Sequence, residues 1–150
     1  MVDTTLCYLR HAGKVLLLHR IKQKQDINAG KWIGVGGHLE AGESPLACVL
    51  REVREETGII LTDIHQVGII DFLNTECEDE RMWLYVAEVE EEITPECDEG
   101  VLAWFPENEL FDLPMWEGDR TFLGRMLAGE RGFHVEVSYE GDLLVGTREL

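Results

Sequence analysis

Residues Gly37 to Ile59, GHLEAGESPLACVLREVREETGI, constrain this chain more than any other stretch, because they spell out a loop, a helix and a stop in order. Ser44 before Pro45 predicts a helix start: the serine oxygen can cap a free N–H, and proline at the first helical position has no N–H to leave unpaired. Gly58 predicts the stop, since glycine adopts the left-handed conformation that closes a helix. The helix is therefore expected to run to Thr57. Leu46, Val49, Leu50 and Val53 recur at helical spacing and are expected to face the core. Glu52, Glu55 and Glu56 stand at i, i+3 and i+4, so their carboxylates are expected to converge on one side.

Carboxylates so close together repel, and Arg51 and Arg54 offset only part of that repulsion. One reading of such a triplet is a solvated outer face. The loop before the helix favours another. Val35-Gly36-Gly37 lets the backbone come close to the helix N-terminus, where carbonyls can reach a cation and N–H groups a phosphate. Oxygen ligands without His or Cys suit Mg²⁺ or Mn²⁺, and a cation of that kind points to phosphoryl transfer. Glu43 is placed to hold Arg51 across the loop–helix junction; the alternative is a simple surface ion pair.

The remainder reads as strands with two further helical segments. Thr4 to Leu9 and Val15 to Leu18 form a predicted hairpin through Ala12-Gly13, and Ile21 to Lys31 a predicted loop ahead of Trp32 to Val35. Val67 to Leu73 and Met82 to Val89 are expected strands around a charged linker, Thr75 to Arg81. Ala103 to Phe105 reads as a short strand, Pro106 to Leu110 as a short helix and Asp119 to Leu127 as a helix. Phe133 to Tyr139 and Leu143 to Val145 close as a hairpin around Gly141. A chain of 150 residues with strands mixed among helices is expected to be one α+β domain spanning 1–150, helices sandwiching a mixed sheet.

Composition narrows the partners. Thirty acidic against 13 basic residues give a net charge of −17, which excludes a polymer-coating role on nucleic acid. Six of the basic residues fall within the first 31 positions, so that end is the one expected to welcome anions, unless it is merely a solvated loop. The apolar runs are too short for a membrane span or signal peptide. Cys7, Cys48, Cys77 and Cys97 show no C-x-x-C pairing, which reads as four unpaired thiols in a reducing cytoplasm.

The segment Gly37 to Ile59 resembles the Nudix box, G-x5-E-x7-R-E-U-x-E-E-x-G-U with U aliphatic, and every fixed position is met. The resemblance implies a Nudix α/β/α sandwich with a mixed central β-sheet, and a metal held by Glu52, Glu55 or Glu56 with the Gly37 carbonyl. It also implies an acidic residue from outside the box, for which Glu99 is the candidate. Gly30-Lys31-Trp32, Trp104-Phe105 and Leu113 to Asp119 extend the likeness to the MutT and oxidised-purine triphosphatase branch. That branch implies Trp116 stacking on a base and Asp119 reading its edge, with core packing as the alternative for Trp116. Two positions depart from its pattern: Gly118 stands in place of a second aspartate and Ile33 in place of an asparagine. Lys22 or Lys24 is expected to contact phosphates or to lie in solvent.

The function expected from this resemblance is a Mg²⁺-dependent nucleoside triphosphate pyrophosphohydrolase. It would resemble an 8-oxo-dGTP diphosphatase, releasing a monophosphate and pyrophosphate. The alternatives are hydrolysis of ADP-ribose, NADH or another nucleoside-diphosphate compound, and a nucleotide-sensing module without turnover. A related fold in isopentenyl diphosphate isomerase uses a catalytic cysteine, which would give Cys48 a role other than packing.

Overall fold

The computed structural model describes residues 1–20, 28–94 and 96–150. Strands β1 (Val2–His11) and β2 (Lys14–Arg20) form the expected hairpin, and its two turn residues, Ala12 and Gly13, both have positive φ. That is the turn whose twist matches a two-residue hairpin. Val15 to Leu18 is apolar at four successive positions because β2 is buried on both faces. Val15 and Leu17 enter one core cluster and Leu16 and Leu18 the other.

The sheet is mixed. Strand β3 is Trp32–Ile33, β4 Asp63–Asn74, β5 Glu80–Glu88, β6 Gly100–Pro106, β7 Phe133–Glu140 and β8 Leu143–Glu149. β1 pairs antiparallel with β2 and parallel with β5; β4 pairs antiparallel with β5 and parallel with β7, and β8 closes the far edge. The order is β3-β2-β1-β5-β4-β7-β8, with β6 on β2. Helix α1 (Pro45–Thr57) covers Cys7, Leu9, Leu16 and Leu18 with Val49 and Val53. Helix α2 (Glu117–Leu127) covers Leu6, Tyr8, Val15 and Leu17 with Phe122, Leu123 and Met126. Adjacent residues of β1 thus serve opposite faces, and the result is the expected α/β/α sandwich. No helix among the described residues is long and apolar enough to cross a membrane.

Helix α1 starts and stops as expected: Ser44 Oγ accepts from Ala47 N, and Gly58 has φ 77° with its N–H on the Arg54 carbonyl. The buried arc differs from expectation. It runs through Cys48, Val49, Val53, Glu56 and Thr57, which leaves Leu46, in the first turn and at the margin of that arc, 47% exposed. The same rotation carries Glu56 inward, away from the solvent side where Glu55 stays. The segment Pro106 to Leu110 is a 3-10 helix, Glu107–Asp112, and the Thr75 to Arg81 linker is shorter than expected because β5 already begins at Glu80.

Beyond its pairing with β2, β1 gives its edge to the loop before α1. Cys7 and Val35 exchange both backbone hydrogen bonds at 2.7 and 2.9 Å, and Thr5 N donates to the Gly37 carbonyl at 2.9 Å. The approach is so close that a Cβ on Gly36 would strike the Thr5 carbonyl, and no rotamer change relieves a backbone clash. Arg51 holds the loop's other end: Nε and Nη2 grip the two Glu43 oxygens at 2.7 and 2.9 Å, and Nη2 also reaches the His38 carbonyl at 3.2 Å. Glu43 Oε1 accepts in addition from Glu40 N at 3.0 Å.

Arg51, and secondarily the Glu40 N–H, hold the Glu43 carboxyl at about 2, below its ordinary 4.5. A lowered acid pKa contributes stability that is present above 4.5 and is lost as pH falls through about 2. Urea unfolding of wild type and Glu43→Gln should therefore show wild type more stable at pH 7, with the gap closing towards pH 2. A gap that stays constant across that range would remove Glu43 from the acid response.

Candidate active site

A cleft of about 470 Å³ opens where β1, the Gly-rich loop and α1 meet the turn before β6. Thr4, Thr5, Gly36, Gly37, Arg51, Glu52 and Glu99 form one end. Phe72, Trp116 and Asp119 line it further along, with Asn28 and Ile33 alongside and Met82 opposite Thr4 on the neighbouring strand.

At the carboxylate end the three helix glutamates have different surroundings. Glu52 accepts from Arg51 Nη1 at 2.8 Å and lies flat on Gly37, where a Cβ would come within 2.5 Å of its carboxyl carbon. Burial raises its pKa, and the hydrogen bond from Arg51 opposes the rise. Glu55 is largely exposed and reaches Arg51 at 3.3 Å. Glu56 is 7% exposed, and neither carboxyl oxygen has a hydrogen-bond partner among the described residues. Burial first, and then the Glu99 and Glu52 carboxylates, push it up to about 10. Glu99, in the turn leading to β6, is loosely paired with Arg20 at 3.9 Å.

An isolated buried carboxylate costs several kcal/mol, so Glu56 is either protonated or facing a cation. Its orphaned oxygens, with Glu52 and Glu99 nearby, fit an oxygen-coordinated divalent ion. Among the described residues no three acidic, histidine or cysteine side chains are already gathered to ligating distance. Glu52 is turned towards Arg51, while the Glu99 carboxyl lies close beside Glu56 and helps to raise its pKa. The Gly37 carbonyl accepts from Thr5 N at 2.9 Å and is approached at longer range by Thr5 Oγ1 at 3.4 Å and Cys48 Sγ at 3.6 Å. Cys48 is fully buried, hydrogen-bonded between Thr5 Oγ1 at 3.4 Å and the Gly37 carbonyl at 3.6 Å; burial raises its pKa, which suits packing rather than catalysis.

At the aromatic end Trp116 belongs both to the core and to the cleft wall. It is 4% exposed, donates from Nε1 to Asn28 Oδ1 at 2.7 Å, and meets Phe72 and Tyr139 edge-on at 5.1 and 4.8 Å. Asp119, in the first turn of α2, is 5% exposed, and burial raises it to about 8 against the opposing charges of Arg120 and Lys31. A side chain at Gly118 would point away from the cleft: its Cβ would meet the Tyr139 hydroxyl at 2.7 Å and Val137 at 3.0 Å. Ile33 adds an apolar patch to the wall. Lys22 and Lys24 lie outside the described residues. Arg20, Asn28, Phe72 and Met82 were not legible as site residues; only the end of an apolar strand at Arg20 gave a signal, whereas Phe72 and Met82 reach the cleft through long-range strand pairing.

The NUDIX domain model matches residues 2–126. An uncharacterised Nudix hydrolase of Bacillus subtilis, YvcI, is 33% identical over 90% of this chain and 85% of its own length. An oxidised purine nucleoside triphosphate hydrolase of Danio rerio is 32% identical over 85% of this chain and 80% of its own. The crystal structure of a MutT mutator protein from Bacillus halodurans superposes with a TM-score of 0.85 at 30% identity, covering 99% of this chain and 97% of that one. With the box helix, the glycine loop and the α/β/α sandwich in place and a family match over more than half its length, the chain belongs to the Nudix family.

Proposed function

We propose that this protein is a divalent-cation-dependent Nudix hydrolase that cleaves the phosphate anhydride of a purine nucleoside triphosphate, of the 8-oxo-dGTP kind, to the monophosphate and pyrophosphate. The observation that carries the reading is Glu56, a buried carboxyl whose oxygens lack a hydrogen-bond donor among the described residues and which lies beside Glu99 and Glu52, two carboxylates that line the cleft. The base end supports the purine: an indole wall, the Phe72 ring and a buried carboxyl that can pair with a base edge. The Danio rerio relative is itself an oxidised purine nucleoside triphosphate hydrolase.

In this reading Glu52, Glu56 and Glu99, with Glu55 beside them, would hold Mg²⁺ or Mn²⁺ together with the Gly37 carbonyl, which would release its longer contacts to Thr5 Oγ1 and Cys48. Bound there, the cation supplies charge neutralisation on the phosphates and lowers the pKa of a water. Arg51 and Glu43 keep the loop from drifting, so the carboxylates stay within reach of the phosphates. Glu52, raised by burial, is the ligand or the base that takes the proton from the attacking water. Arg20 faces the phosphates from the end of β2. Lys22 and Lys24 are the further candidates for that contact.

Two measurements test this. Glu56→Gln should lower kcat/KM by roughly 10²-fold or more. In the absence of metal the same variant should melt higher than wild type at neutral pH, because folding must protonate Glu56 whereas an amide needs no proton, and it should lose the Tm rise that Mg²⁺ gives wild type. Wild-type turnover in the variant would sink the assignment. A panel of 8-oxo-dGTP, canonical dNTPs, ADP-ribose and NADH, with pyrophosphate and phosphate counted separately, should show the oxidised triphosphate preferred and pyrophosphate released. Faster hydrolysis of ADP-ribose or NADH would move the substrate class, and silence across the panel would favour a sensing module.

A further inference from the structure

One contact at the aromatic end of the cleft has no part in the chemistry just described. Lys31, whose side chain is only 16% exposed, sets Nζ 4.3 Å from the centroid of the Trp116 ring and 2.9 Å from Asp142 Oδ1. Asp142 sits in the β7–β8 turn, and that turn is itself held: Asn74 Nδ2 donates to the Gly141 carbonyl at 2.8 Å. Trp116 is thus fixed by its N–H on Asn28, by an ammonium over its ring, and by two aromatic edges. A cation over an indole is attracted by the ring's electron-rich face, and the low exposure of the lysine stem keeps the ammonium close to it. The backbone reinforces the arrangement, since Trp32 N donates to the Pro114 carbonyl at 2.8 Å and ties the Lys31 segment to the loop that carries Trp116.

We propose that Lys31, anchored by Asp142, is a specificity-determining positioning residue of the base pocket: its ammonium holds Trp116 as a fixed wall beside Asp119, so that a planar base gains affinity there. The inference rests on reading the cleft as a nucleotide site. A lysine near a nucleotide cleft invites a simpler role, attraction of phosphate. Its partners argue against that role, because the ammonium is already engaged by the Trp116 ring and by Asp142. Lys31 also acts on Asp119. Of the groups facing that carboxyl, Arg120 on its own helix and Lys31 are the cations, while Tyr8 from β1 and Tyr139 from β7 are hydroxyls that burial keeps neutral. Glu117 is the other acid of that helix turn. Removing Lys31 therefore moves the Asp119 titration to higher pH.

Calorimetric titration of the metal-free protein with GMP and with ribose 5-phosphate, which has no base, separates the possibilities across pH 6.5–9.5. Lys31→Met should weaken GMP roughly tenfold and leave ribose 5-phosphate unchanged. Lys31→Arg should recover most of the loss, and Asp142→Asn should give a smaller loss in the same direction. The pH midpoint of GMP binding should move upward in Lys31→Met, a shift that a merely structural role would not produce. Equal losses for the two ligands, or a folded Lys31→Met with unchanged GMP affinity and midpoint, would overturn the proposal. If wild type bound GMP no better than ribose 5-phosphate, the nucleotide reading itself would fall, and the Lys31 proposal with it.

Discussion

The guanidinium of Arg51 is the interaction on which the site depends. Its planar fork meets Glu43 through two hydrogen bonds, Glu52 through a third and the His38 carbonyl through a fourth. A lysine at 51 would present a point charge and could not hold loop and helix in one plane. Because the pairing is two-pronged and half-buried, it is worth more than an exposed ion pair of the same composition. Two consequences follow. The loop stays pressed against β1, where only glycine fits at 36, and Glu52 is drawn to the arginine. Glu56 is left on the inner side without a partner.

What the sequence made legible was local. Ser44-Pro45 and Gly58 are start and stop signals whose partners lie within four residues, so both ends of α1 could be read directly. The Val15 to Leu18 run and the Ala12-Gly13 turn were legible for the same reason. The order of strands was not, because β1 with β5 and β4 with β7 pair in parallel across 60 or more residues, and no periodicity records a distant partner. The burial of Glu56 and the exposure of Leu46 have one origin. A 3.6-residue period gives the spacing of an apolar face but not the rotation at which the helix meets the sheet. The glutamate triplet therefore read as three equivalent carboxylates, whereas the sheet sorts them into one bound to arginine, one in solvent and one buried.

Trp116 shows a different limit. Packing and stacking looked like alternatives from the sequence, yet the ring lies in the core and walls the cleft at once. A residue at the boundary between a core and a cavity satisfies both descriptions, and only coordinates show which side its edge and N–H take.

A chain with a net charge of −17 still has to bring a polyanion to a cleft that itself carries Glu52, Glu99 and Asp119. The cleft's two arginines do not solve this alone, since Arg20 already faces Glu99 and Arg51 already faces Glu43 and Glu52. On the proposed reading the missing attraction comes from a bound divalent cation, and the buried Glu56 carboxyl is a group that it would neutralise. At the opposite end Asp119 is buried on the same terms, raised to about 8 by desolvation. Two desolvated carboxyls thus stand in or beside one cleft, each costing stability in the unliganded protein and each, on the proposed reading, answered by a different part of one ligand. On that reading Glu56 would be answered by the cation that accompanies the phosphates and Asp119 by the hydrogen-bonding edge of a base. Binding that answers both at once is favoured over binding that answers one, so the proposed site would favour a whole nucleotide over either of its halves.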